Sequence, residues 1–125
     1  MLPLNLPDVV AELTSAFEKY ESALVANDFK VLNELFWRSE HTLRFGTKEQ
    51  LYGHQEIADF RIHRGKIDQR RKLHNVRIVT FGRDFGVANT EFIPFGSEKS
   101  GRQSQTWVRT DEGWRIVSAH VSFSA

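Results

Sequence analysis

From Lys72 onward the chain reads as strand after strand. Val76–Phe81, Phe85–Phe95, Arg102–Thr110 and Trp114–Phe123 are four strand candidates, separated by turns at Gly82-Arg83-Asp84, at the stretch from Gly96 to Gly101, and at Asp111-Glu112-Gly113. Everything before Lys72 has a different period. Val10, Leu13, Phe17, Tyr20 and Leu24 recur at helical spacing after a Pro7-Asp8 start. Asn27-Asp28 interrupts the stripe, and Phe29, Leu32, Leu35 and Phe36 mark a second, short helix. His41–Thr47 and the residues leading to Gly53 suggest two short strands, and Ile57, Phe60, Arg61 and Arg64 mark a third helix. Helices first and an antiparallel meander afterwards predict an α+β fold, with helices covering one face of a bent sheet.

The closing hairpin carries an unusual face. Strict alternation puts Trp114, Ile116, Ser118, His120 and Ser122 on one side, and Gln103, Gln105, Trp107 and Arg109 together on the partner strand. Aromatics mixed with hydrogen-bonding groups make neither a dry core nor a wet surface, and they suit the wall of a small-molecule pocket.

At 125 residues the chain fits one domain spanning residues 1–125. Ten Phe and three Trp supply large apolar units, in keeping with a core that surrounds something. A formal charge of +1 gives no general reason to expect nucleic acid or a membrane surface. The absence of cysteine excludes disulfides, thiol catalysis and Cys-ligated zinc. The first residues lack the pattern of a signal peptide, so a cytoplasmic location is expected. Five histidines show no HxH or HExxH spacing, and there is no G-x-S-x-G elbow, G-x-G-x-x-G or P-loop.

Four features raise the question of chemistry. Tyr20 lies in the apolar stripe of the first helix, either as a core tyrosine or as a phenol donating into a cavity. Arg61 and Arg64 extend a core-facing stripe, and buried arginines call for carboxylates, unless the helix end rotates and both reach water. Arg44 lies between Leu43 and Phe45, facing either solvent or a pocket on the far side of a curved sheet. Glu91 is the strand acid best placed for a general base of the isomerase kind. The basic run Arg61–Lys72 has no aromatic for base stacking and reads as a solvated helix end rather than a nucleic-acid site.

The order of elements, together with Leu51-Tyr52-Gly53, Ile57, Phe60 and the closing Gly113-Trp114-Arg115-Ile116 and His120-Val121-Ser122, resembles the cone-shaped α+β fold shared by nuclear transport factor 2, ketosteroid isomerase and SnoaL-like polyketide cyclases, also called cystatin-like. The phrases FEKYESALVANDFKVLNELFW, TLRFGTKEQLYG and IADFRIHR resemble its narrower AtzH-like branch. That resemblance implies a metal- and cofactor-free amidohydrolase, acting with loss of carbon dioxide on N-carboxylated ureas in oxalurate or cyanuric acid catabolism. It implies Tyr20 and Arg44 as the central polar pair, with Arg44 aided by Arg61 or Arg64 in holding a substrate carboxylate. Trp37 and Trp107 would exclude water, and Gln105 or His120 would orient it. A homodimer is expected, because this fold commonly pairs through its sheet, and so is association with an amidase-family enzyme. The alternatives are a binding-only accessory protein, and an isomerase or cyclase using Glu91.

Overall fold

The computed structural model describes residues 1–124. Helix α1 spans Pro7–Val25, α2 Phe29–Leu35 and α3 His54–Arg64. The strands are β1 Leu43–Phe45, β2 Gln50–Tyr52, β3 Arg71–Phe81, β4 Phe85–Pro94, β5 Gly101–Thr110 and β6 Gly113–Phe123. They form one curved sheet in the order β2-β1-β6-β5-β4-β3. All neighbours are antiparallel except β1, which joins β6 in parallel, with Arg44 opposite Ala119. The expected mixed architecture is therefore present, with one parallel pair added to the meander. Strand β3 starts five residues earlier than the apolar pattern suggests, because Asn75 takes a left-handed backbone (φ 53) and the ladder shifts register between His74 and Arg77, which breaks the alternation there.

Pro7 opens α1 with Asp8 in its first turn, where a missing N–H and an acidic side chain both suit the helix start. The helix buries Val9, Leu13, Phe17, Tyr20 and Leu24, so its stripe begins at Val9 rather than Val10. Asp28 caps α2 by accepting from the Val31 N–H at 3.2 Å. Between the two helices Asn27 takes a left-handed backbone (φ 54). Its amide donates to the Ile67 carbonyl at 2.8 Å and accepts from the Ile67 N–H at 3.2 Å, tying the segment after α3 to the α1–α2 corner.

The core is the α1 stripe laid into the concave sheet against Ala88, Trp107 and Ile116, closed at one end by Leu32, Leu35 and Phe36. Trp107 has no exposed surface. Burial of such a side chain stabilises the fold by on the order of 3 kcal/mol. Leu13 of α1 packs directly over Gly86, where an added Cβ would meet its Cδ2 at 2.5 Å and the Val79 carbonyl at 3.0 Å.

A bulge in β6 reorganises the inner face. Trp107 pairs with Ile116 and Thr106 with Ser118, so Val117 is an extra residue with no partner across the ladder. Before it, Trp114 and Ile116 point inward; after it, Ala119 is the buried residue. Strict alternation fails at that one position. It reassigns every side chain from Ser118 onward, which is why the sequence face carrying Trp114 together with His120 does not exist in the fold.

Gly86→Ala should lower stability by about 1–3 kcal/mol through overpacking, a drop of roughly 3–15 °C in melting temperature. A variant melting at or above the wild-type temperature would show that the helix-to-sheet contact has slack.

Candidate functional site

The open end of the cone holds a cavity of about 340 Å³ between α1, α3, the β1–β2 turn and the inner faces of β3 to β6. Its apolar wall comes from Leu24, Phe60, Phe92, Val121 and Phe123, and its polar wall from Tyr20, Arg44, Glu49, Arg64, Arg71 and Gln103. A narrow inner extension brings Tyr20, Arg44, Arg61 and Arg64 together.

Each of these side chains is aimed by its element. Tyr20 continues the buried stripe of α1, is 3% exposed, and packs edge-on against Phe36 with ring centres 6.2 Å apart. Its hydroxyl makes no hydrogen bond among the described residues and faces the cavity. Arg44 pairs across the sheet with Leu51 and Ala119, both buried, so its side chain points inward while Leu43 and Phe45 face out. The guanidinium lies 3.3 Å from the Glu49 carboxylate. Arg61 and Arg64 project from the last turn of α3, one helical turn apart, where a cation also suits the helix C-terminus.

Charge balance sets the character of the cavity. Arg71 is held by Glu21 (Nη2 to Oε1 2.5 Å, Nε to Oε2 3.1 Å), donates to Gln103 at 2.9 Å and stacks 4.4 Å over the Phe92 ring. Gln103 closes the triangle by donating to Glu21 at 3.2 Å. Arg70 pairs with Asp68 at the rim, which holds the Asp68 carboxyl down at about 2. Arg61 and Arg64 have no such partner: among the described residues neither lies within ion-pair distance of a carboxylate. Arg61, only 5% exposed, donates to the Asn33 amide oxygen at 2.8 Å and sits 5.7 Å over the Phe36 ring. Burial pulls its guanidinium down to about 10; the Tyr20 phenol opposes this, and Arg44 and Arg64 add to it. Burial and the Arg44 charge lower Arg64 as well. One positive charge, Arg61, is thus withdrawn from water without a carboxylate partner, and the half-buried Arg64 adds a second beside it, next to a phenol free to donate. An anion of small size, and above all a carboxylate, is the ligand that such a wall accepts.

Tyr20, Arg44, Arg61 and Arg64 are brought together, and the other four candidates lie elsewhere. Trp37 follows Phe36, which bridges to Ile116 and points into the core; Trp37 therefore faces away, beside Glu34, Arg38 and Arg115. Trp107 is inward but below the cavity, sealed into the core. Its indole donates to Gln105 at 3.1 Å; Gln105 is buried there too, and its amide nitrogen has no partner among the described residues. His120, after the bulge, stands exposed on the outer face, edge-on to Phe45 at 5.9 Å. Glu91 is also on the outer face, accepting from Asn75 at 2.6 Å, because its neighbours Thr90 and Phe92 occupy the inward positions. An isomerase using Glu91 therefore has no base in the cavity.

Gln103 lines the cavity from the face of β5 that alternation assigns to a pocket wall, whereas Glu21, Glu49 and Arg71 are lining or supporting groups that the sequence pattern does not single out. Glu49 and Arg71 sit in segments with no periodic signal. Among the described residues no three His, Asp or Glu side chains converge as a metal site, and no helix is long and apolar enough to cross a membrane.

A family model described as AtzH-like matches residues 2–125. A protein of unknown function from Pectobacterium atrosepticum SCRI1043 is 53% identical, superposes with a TM-score of 0.96, and is matched over 100% of this chain and 99% of its own. A cystatin-like fold protein from Burkholderia xenovorans LB400 is 42% identical over 100% and 98% of the two chains, with a TM-score of 0.94. A nuclear transport factor 2-like protein from Salmonella enterica serovar Typhimurium LT2 shares the fold at 24% identity, with a TM-score of 0.75 over 94% and 92%. No curated protein matches the sequence.

If Arg61 serves a ligand rather than the fold, Arg61→Met should leave the unliganded protein as stable as wild type or about 1–2 kcal/mol more so. The sign follows from linkage. The folded-state value lies below that of the unfolded chain, so the charge opposes folding fully below pH 10, and the penalty fades as pH rises through about 10. Urea titrations of the two proteins check this. A loss of more than about 3 kcal/mol in the variant would make Arg61 a structural charge.

Proposed function

Because the chain belongs to the AtzH-like family, we propose that its cavity binds small N-carboxylated ureas and oxalurate-type compounds and decarboxylates those whose carboxylate is carried on nitrogen. The unneutralised pair Arg61 and Arg64, set beside the free hydroxyl of Tyr20, is the observation that carries this reading. Arg44 offers the planar donor edge that a carboxylate takes in two parallel hydrogen bonds, and Arg61 and Arg64 supply the remaining charge. For a carbamate nitrogen, cleavage of the N–CO₂ bond releases carbon dioxide and leaves the electron pair on nitrogen. The Tyr20 O–H then delivers a proton there, and water restores the phenol. Such a route needs no nucleophile. The aromatic wall of Phe60, Phe92 and Phe123 lowers the local dielectric and strengthens these contacts.

In this reading the protein is a cytoplasmic catabolic enzyme that works alongside an amidase-family hydrolase. It pairs as a homodimer through the outer sheet face, where Phe45, Tyr52 and His120 cluster.

Release of carbon dioxide from N-carboxylated ureas tests the proposal. Tyr20→Phe should cut turnover by roughly 100-fold or more, the scale of one lost transition-state donor. Arg44→Ala should raise KM by roughly 100-fold, the scale of a buried charge pair. Normal turnover in both variants would overturn the assignment. A ligand that raises the melting temperature without being consumed would instead identify a binding-only protein.

A further inference from the structure

Glu49 is the carboxylate in the cavity wall with no evident role in the chemistry above. It sits on the turn between β1 and β2, where the Gly46 N–H donates to the Glu49 carbonyl at 2.9 Å and folds the residue back over the strand end. Its carboxylate reaches Arg44 through one contact, Oε1 to Nη1 at 3.3 Å. The other N–H groups of the Arg44 guanidinium have no partner among the described residues. Glu49 therefore holds one edge of the fork and leaves the other open to the cavity.

The space for this contact is built in at Gly46. A Cβ there would fall 1.7 Å from Glu49 Oε1 and 2.4 Å from its Cδ, and 3.1 Å from Arg44 Nη1. The Gly46 backbone does not lie in the left-handed region, so glycine is required for room and not for conformation. A methyl group at this site would displace the carboxylate while leaving the strand intact, since the colliding atoms are the far end of a flexible side chain.

We propose that Glu49 is a positioning residue: seated over Gly46, it grips the Nη1 edge of Arg44 so that the opposite edge meets the ligand carboxylate. This rests on the reading of Arg44 as the group that holds that carboxylate. A guanidinium on a long flexible stem, flanked by the like charge of Arg64, otherwise swings toward solvent. One fixed edge removes that freedom before the ligand arrives, which is the gain that preorganisation gives.

Two readouts test it, with oxalurate as probe. Calorimetric titration should show Glu49→Ala weakening oxalurate binding about tenfold, the scale of one charge-assisted hydrogen bond. Glu49→Gln should lose only about threefold, because its amide oxygen still accepts from Nη1. Gly46→Ala should follow Glu49→Ala, and Glu49→Ala should add nothing in an Arg44→Ala background. The crystal structure of the Glu49→Ala protein provides the ligand-free readout: the Arg44 guanidinium should leave its place beside Gly46. Tighter binding in Glu49→Ala would make Glu49 a competitor for the ligand site and overturn the proposal. Additive losses in the double variant, or an unmoved guanidinium, would overturn it as well. Failure of the underlying carboxylate reading looks different: Arg44→Ala alone would then bind oxalurate as the wild type does.

Discussion

Positive charge withdrawn from water without a counterion is the constraint around which this fold is arranged. An isolated guanidinium in a low-dielectric wall is penalised by several kcal/mol, and interiors answer that penalty with carboxylates. The chain does so for Arg71, through Glu21 and Gln103. At Arg61 it supplies only the amide of Asn33 and the face of Phe36. Asn33 comes from α2 and Phe36 from the residue after it, so the short second helix is the support of the third helix's charge. The deficit is confined to one corner of the cone, next to Tyr20 and Arg44.

The sheet makes that corner possible by changing what its inner face carries along its length. Near the closed end β5 and β6 present Trp107, Trp114 and Ile116, which seal α1 into a dry core. One extra residue, Val117, then shifts the alternation of β6. Beyond it the inward residues are Ala119, Val121 and Phe123, too small or too far apart to fill the space, and a cavity opens. Gln103 and Arg71 line the same depth from the neighbouring strands. A ligand pocket and a packed core thus share one surface, divided at the bulge in β6.

Much of this was legible in the sequence, and the failures have specific causes. The three helices, the four long strands and the α+β arrangement follow from a change of hydrophobic period at Lys72. Tyr20, Arg61 and Arg64 were found because their helical spacing places polar groups on buried stripes, a conflict that local pattern can display. Arg44 was undecided from periodicity, since Leu43 and Phe45 are apolar enough to be core; the register with Leu51 and Ala119 turns them outward. His120 was misplaced by the assumption of unbroken alternation, as a bulge leaves no mark in composition. Trp37 was misplaced because its neighbour Phe36 takes the inward position. Glu49 was invisible, because its role depends on a turn and on the absence of a Cβ at Gly46, neither of which has a period.

The direct test of the central claim is a comparison of charge at constant shape. Calorimetric titration of the wild-type protein with oxalurate and with its neutral primary amide, at neutral pH and equal ionic strength, isolates what the arginine corner recognises. The account predicts that the carboxylate binds at least about 100-fold more tightly than the amide, the scale of a buried charged contact left unpaired. Equal affinity for the two would contradict it.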